Sequence, residues 1–318
     1  MFIVSKARTT ILVLILCLCT SKVLAGDPSK ISVNQSPDAL VFKYGDKPLL
    51  VYACATNQFK SYVQALYSLN GVNVLRDAPP DHLHHHGLMY AIRVNGVNFW
   101  EETGEPGIER SFEIVNVRIG SDQEERPTAR FTQIVHWVEN EHRWAPITKP
   151  HALLVERRTI TVTVDEATGE VAVRWHGIFE VGSAGERVKL TGSNYNGLGL
   201  RLPESFDHTG HHLNSEKTPY QSGQTGDVTS ARWSAVSQPK SAQLPMVTLF
   251  DSSSNPGDTR FFTMLNPFAY LAVTQNLEKK PLEYGTGESF EINYLVCVYS
   301  EPKSPGFLEK RYREWENL

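Results

Sequence analysis

"RTITVTVDEATGEVAVRWHGIFEV", residues 158–181, is the stretch whose reading decides the fold class. Up to Asp165 it alternates, with Ile160, Val162 and Val164 on one side and Thr159, Thr161 and Thr163 on the other. Side chains of a β-strand leave opposite faces in turn, so a period of two predicts a strand. "ATGE" supplies a turn, and a second alternating run follows, with Val171, Val173 and Trp175 sharing a face and Ala172, Arg174 and His176 opposite. Two such runs around a glycine-containing turn predict a hairpin.

The same pattern recurs along the chain. "FEINYLVCVY" (290–299) puts Phe290, Ile292, Tyr294, Val296 and Val298 on one face, and "ALVFKYG", "PLLVYACA", "YVQALYSLNG", "FEIVNVRI", "FTQIVHWV" and "MVTLFD" are short runs rich in β-branched and aromatic residues. Helical spacing stands out at "SPGFLEKRYREWENL" (304–318), where Ser304 can cap, Pro305 sits just inside, and Phe307, Leu308, Tyr312 and Trp315 form an apolar stripe. Its expected role is to pack across a sheet. The expectation is an all-β fold: one large antiparallel β-sandwich domain over 26–318 with a short C-terminal helix. Pro203 to Ser230 reads as one long functional loop, because structureless stretches of that length usually serve binding or closure.

Residues 1–25 read as a secretory leader: Lys6 and Arg8, an apolar run from Ile11 to Cys19, then Val23-Leu24-Ala25. Cleavage after Ala25 and a secreted or periplasmic location are expected, and no later run is long and apolar enough to span a bilayer. Three of the 31 basic residues and none of the 35 acidic ones lie in the leader, so the remainder carries a formal charge of −7. With no basic block, nucleic acid is excluded as an expected partner. Two of the four cysteines also lie in the leader. Cys54 and Cys297 remain, as one bridge or as two buried thiols.

"PPDHLHHHGLMY" (79–90) places four histidines in five positions. If it is extended, His82, His84 and His86 share a face, with His85 opposite. His82, His84 and His85 are the candidate ligands for one divalent metal (zinc, copper or calcium), with Asp81 as a further ligand or as the acceptor that fixes a tautomer. Three same-face positions span roughly 13 Å of extended strand, so a bend at Pro79, Pro80 and Gly87 would be needed to close a single site. The other chemistry is acid–base, since imidazole titrates near neutral pH.

A second group, "ESFDHTGHHLNSEKTPYQSGQTGD" (204–227), holds His208, His211, His212, Asn214 and Glu216. Both histidine groups are expected to line one cleft. Trp100 and Glu101, Asn194, Tyr195 and Asn196, and Asn266 and Tyr270 supply the aromatic faces and planar polar groups that sugars bind. Arg76 and Arg201 are candidates to position substrate carboxylates or hydroxyls. Glu101 with Glu216 would be a pair of carboxylates for glycosidic chemistry.

"VLRDAPPDHLHHHGLMYAIRVNGVNFWEE" (74–102) resembles the signature of a secreted bacterial family termed PmoA-like and labelled methane oxygenase. Its members carry a PPDH-x-HH-x-G-like segment, a strand, and an aromatic–acidic pair. The resemblance continues through "NGLGLRL", "NSE", "ARW", "LNPFAY" and "KRYREW". His82, His84 and His85 fit the pattern; His86 stands where that family often has arginine. The resemblance implies a super-sandwich similar to that of aldose epimerases and some polysaccharide lyases, in a glycan-degrading setting. The expected function is a lyase, epimerase or hydrolase step on a glycan, with His84 and His85 as acid–base groups helped by His82, Asp81 and Glu216. The alternatives are a non-catalytic carbohydrate-binding protein and a copper- or iron-dependent oxidase.

Overall fold

A computed structural model describes residues 22–24, 31–146, 151–221, 226–238 and 244–317. Two large antiparallel sheets stack face to face. The ten-stranded sheet runs, in spatial order, Lys22–Leu24, Ile31–Gln35, Ala39–Tyr44, Lys47–Ala53, Tyr62–Leu66, Leu88–Ala91, Gly197–Arg201, Tyr270–Thr274, Arg260–Met264 and Asp227–Thr229. The eight-stranded sheet runs His211–Asn214, Trp233–Ser237, Met246–Asp251, Ser289–Tyr299, Glu170–Val181, Ala152–Asp165, Pro127–Val138 and Ile108–Ser121. A small sheet of Leu282–Gly285, Arg187–Thr191, Arg93–Val94 and Val97–Asn98 flanks them. This is the large antiparallel sandwich expected from the alternation, and among the described residues no helix is long and apolar enough to cross a membrane. The expected leader lies outside the described residues except for Lys22–Leu24, which pair antiparallel with Val33–Gln35.

The expected hairpin forms, with Thr163 opposite Ala172 and Asp165 opposite Glu170. Its apolar face turns inward: Ile160, Val162, Val164, Val171, Val173 and Trp175 are buried in one core with Ile292, Tyr294, Val296 and Val298. From the other sheet Tyr90 meets Trp137, Phe179 and Tyr294. The core is not wholly apolar. Arg158, fully buried, donates to Glu156 at 2.8 and 2.7 Å, to Glu109 at 2.8 Å and to the Ser61 carbonyl at 2.7 Å, and lies over the Trp175 ring.

The helix Pro305–Glu316 starts as expected, the Ser304 hydroxyl accepting from the Phe307 amide at 3.2 Å. Leu308, Tyr312 and Trp315 pack on Ala172, Trp233, Phe250, Leu295 and Cys297, the outer face of the eight-stranded sheet. Arg311 closes the contact on Glu170 at 3.0–3.1 Å. Cys54 and Cys297 are free and buried, which settles their state as thiols, and burial pushes both up from the usual thiol range, Cys54 to about 12. The stretch from Pro203 to Ser230 is not one loop. It contains a short 3-10 turn at Glu204–Phe206 and contributes an edge strand to each large sheet, His211–Asn214 and Asp227–Thr229.

Candidate functional site

The histidine segment is folded, not extended. The His82 amide donates to the Pro79 carbonyl, the His85 amide to the His82 carbonyl, and the Ala78 amide to the His85 carbonyl, at 2.9–3.0 Å. These turns overturn the expected alternation of faces. His82 and His85 stack with ring centroids 4.5 Å apart, and His84 sets its edge 4.7 Å from His85. His86 turns the other way and lies on the Tyr62 ring. Its two nitrogens meet Asp77 at 3.0 Å and Glu102 at 3.2 Å. Lys60, buried, holds Glu102 at 2.8 Å and the Trp100 carbonyl at 3.1 Å. Burial opposes charge on His86, but the two carboxylates outweigh it and raise its pKa. Burial likewise opposes ionisation of Glu102, and His86 and Lys60 overcome it and hold its pKa at about 2. Composition gave no hint of this Lys60–Glu102–His86–Asp77 anchor, because its members meet only in three dimensions.

Gly87 lets the loop re-enter the sheet. Its φ is +24°, and a Cβ there would stand 2.1 Å from the Val63 carbonyl oxygen. That oxygen is backbone and has no free end to move. Gly87→Ala is expected to destabilise the fold by more than about 2 kcal/mol, since a left-handed residue with a Cβ already costs roughly 1–2 kcal/mol. Urea unfolding checks this, and an unchanged midpoint would refute it.

His82, His84 and His85 line a cleft of about 470 Å³ with Trp100, Glu101, Asn194, Tyr195, Phe262, Phe268 and Tyr270. It opens on the outer face of the ten-stranded sheet. Leu198 pairs with the inward Tyr90, so Gly199 and its neighbours on that level face out. Gly199 has no side chain for a reason: a Cβ would meet the Tyr270 hydroxyl at 1.9 Å. Trp100 packs at 5.1 Å on both His84 and His85 and at 4.8 Å on Tyr195. Tyr195 donates to Glu101 at 3.1 Å, and Asn98 also holds that carboxylate. Burial opposes ionisation of Glu101, but Asn98, Tyr195 and Arg93 outweigh it and lower its pKa. Burial, with the charges of Lys60 and His82, lowers the pKa of His84. His85, 4% exposed, is pushed down to about 2 by burial and by the surrounding positive groups. At neutral pH the cleft therefore presents the neutral imidazoles of His84 and His85 beside the ionised carboxylate of Glu101.

Several expected site residues lie elsewhere. Arg201 sits behind the cleft: it is buried, lies 3.6 Å over the Phe268 ring, and donates to Asp81 at 3.1 Å and towards His85 Nδ1 at 3.4 Å. Asp81 also meets His82 Nδ1 at 3.1 Å. Arg76 pairs with Glu204 at 2.6 Å, and Glu216 pairs with Arg232 at 3.2 Å. Neither lines the cleft, so Glu101 and Glu216 are not a catalytic pair. His212 is buried between the hydroxyls of Ser234 at 2.7 Å and Thr263 at 3.2 Å, with its pKa pushed down to about 4 by burial and by His211. His211 is exposed in the same edge strand. Asn214 bridges a turn, its side chain accepting from the Glu216 and Thr218 amides. Asn266 is exposed, outside the cleft. The two histidine groups thus do not share one cleft; from 204–227, Gly226 alone of the described residues reaches it. Phe262, which helps complete the aromatic wall, carried no signal beyond strand composition, and Phe268 lies in "LNPFAY", a stretch singled out only by the resemblance.

The expected metal set does not fit either. His82 and His85 stack and His84 stands edge-on to both, and the donor atoms of the three are not gathered within 4.8 Å of one another. Among the described residues, the trio whose donor atoms all lie within 4.8 Å of one another is Glu139, His142 and His151, between the strands Pro127–Val138 and Ala152–Asp165.

Fold and cleft define a β-sandwich protein with an aromatic, histidine-lined pocket on one outer face. The chain belongs to DUF6807, a family of unknown function whose model matches residues 39–313. No curated protein matches it. Solved structures similar to it include the GH36 α-galactosidase AgaB from Geobacillus stearothermophilus, 12% identical, with a TM-score of 0.49 over 88% of this chain and 41% of that one. The α-galactosidase from Lactobacillus brevis is 8% identical, with a TM-score of 0.48 over 85% and 39%. The Slr1438 protein from Synechocystis sp. PCC 6803 is 10% identical, with a TM-score of 0.39 over 95% and 100%. The chain spans about two fifths of the length of the α-galactosidases it matches.

Proposed function

We propose that this is a carbohydrate-active protein that takes a neutral sugar ring into the cleft and exchanges a proton with it. The observation that carries the reading is the composition of the wall: Tyr195, half-buried, offers a face for a sugar's C–H surface, with the buried Trp100 and Tyr270 packed behind it, and Asn194, Glu101 and His84 offer polar atoms for its hydroxyls. His84, neutral at neutral pH, is the proton acceptor; ionised Glu101 receives hydroxyl hydrogen bonds. Among the described residues Glu101 is the one carboxylate lining the cleft, which disfavours two-carboxylate hydrolysis. Elimination from a uronic acid needs a cation at the carboxyl group, and the two guanidinium groups bonded to the cleft's residues are already engaged, Arg201 by Asp81 and Arg93 by Glu101. Epimerisation of a neutral sugar is the step these residues support best. The protein would act outside the cytoplasm, after loss of residues 1–25.

Calorimetry and proton NMR against a panel of neutral and uronic sugars test this. Trp100→Ala is expected to weaken sugar binding by about 2 kcal/mol, roughly thirtyfold, as loss of a central aromatic anchor does. His84→Ala is expected to retain binding and to lower turnover by about 10²–10⁴-fold. Binding without turnover in the wild type would make the chain a carbohydrate-binding protein. Binding untouched by Trp100→Ala would rule the cleft out.

A further inference from the structure

The outer face of the eight-stranded sheet, across the sandwich from the cleft, carries a row of arginines. Arg118 stands directly opposite Arg130 on the neighbouring strand, Arg130 opposite Thr161, and Thr161 opposite Arg174. The row is one level of the ladder across four strands, so its side chains share a face. It floors a groove of about 710 Å³ that Arg126, Arg311 and Trp315 also line.

Two of the five arginines are neutralised, Arg126 by Asp122 and Glu124, and Arg311 by Glu170. Arg118, Arg130 and Arg174 have no carboxylate partner among the described residues; Arg174 donates to the Asn293 side chain at 2.9 Å. Like charges directly opposite one another in a sheet are destabilising. The two carboxylates that line the groove, Asp122 and Glu124, are both taken up by Arg126. The pairing register shifts immediately beyond Arg130, and such bulges re-aim side chains at sheet edges and sites.

We infer that this groove binds an anionic polysaccharide, one bearing carboxylates or sulfate esters at intervals along its chain. Guanidinium groups grip such groups in bidentate fashion. Strand spacing sets their pitch: Arg118 and Arg130 are one strand apart, about 5 Å, and Arg130 and Arg174 two strands apart, about 10 Å. Thr128 and Thr163, the next level of the same face, add hydroxyls to meet sugar hydroxyls. The choice of a glycan over other polyanions rests on the carbohydrate reading of the cleft. The groove would hold the protein on an acidic polymer while the cleft on the other side stays open.

The test uses the full chain and affinity electrophoresis in gels carrying polygalacturonate, heparin or uncharged dextran, with duplex DNA as a separate probe. The wild type is expected to be retarded by at least one acidic polysaccharide and not by dextran, and less as salt rises. Arg118→Glu with Arg130→Glu is expected to weaken that binding by about tenfold or more. Both side chains are exposed, and Arg118→Ala with Arg130→Ala is expected to melt no lower than the wild type because it removes a repulsion. Trp100→Ala should leave retardation unchanged, so failure of the cleft reading and failure of the groove are separately visible. No retardation of the wild type, equal retardation of the charge-reversed variant, or tighter binding of duplex DNA than of either polysaccharide would overturn the proposal.

Discussion

Replacing Arg158 by methionine is expected to cost the fold about 3–5 kcal/mol, the penalty for removing one partner of a buried ionic cluster. The guanidinium is the only cation bonded to Glu109 and Glu156 among the described residues, and all three are at most 2% exposed. Glu156 retains the Trp137 indole as a donor at 2.9 Å, whereas Glu109 keeps one oxygen with no partner even in the intact cluster. Burial already pushes Glu109 up to about 7 despite the charge of Arg158. Without that charge both carboxylates must take up protons or drag water between the sheets. The measurement is urea unfolding at pH 7. A companion variant, Arg158→Met with Glu109→Gln and Glu156→Gln, is expected to recover much of the loss, because an all-neutral core leaves no charge unpaired. A loss under about 1 kcal/mol for the single variant would mean that the cluster contributes little.

The second large effect concerns acid. His85 titrates at about 2 in the folded protein and near 6.5 when unfolded. A depressed folded pKa means that the unfolded chain takes the proton first. The His85 contribution is whole above pH 6.5 and is lost as pH falls below it, at about 1.4 kcal/mol per pH unit. By pH 5 that is about 2 kcal/mol. The wild-type curve will not display this plainly. His212, at about 4, works in the same direction, but Glu109 and Asp251, both raised to about 7 by burial, gain stability as they are protonated over the same interval. The comparison with His85→Asn isolates the term. The stability difference, wild type minus variant, is expected to shrink steadily as pH falls from 6.5 to 5. A difference constant with pH would show that His85 is not held neutral by its surroundings.

What could be read from the sequence follows the range of the forces involved. The hairpin at 158–181 and the helix at 305–316 are legible because alternation, a turn, a serine cap and an apolar stripe are all local. The histidine loop was legible as a site by composition, but not its geometry. Pro79 and Gly87 permit the turns, while the anchor that sorts His86 from His82, His84 and His85 comes from Lys60, Asp77 and Glu102. Arg201 shows the limit most clearly. Strand parity places it on the outer face, yet only its partner Asp81, 120 positions earlier, reveals that its charge is spent. His212 was misread for the same reason, since Ser234 and Thr263 enclose it from two other strands. Asn214 was a missed local signal: asparagine two and four residues ahead of the amides it receives is a turn-former before it is a ligand.

The helix Pro305–Glu316 has a consequence for how the chain is made. It covers Trp233, Phe250, Leu295 and Cys297, all supplied by strands that precede it. A chain whose sheets pair before the helix docks would display that apolar surface to the surrounding solution until Arg311 reaches Glu170, and a fragment stopped before Pro305 would go on displaying it, prone to associate with its own copies.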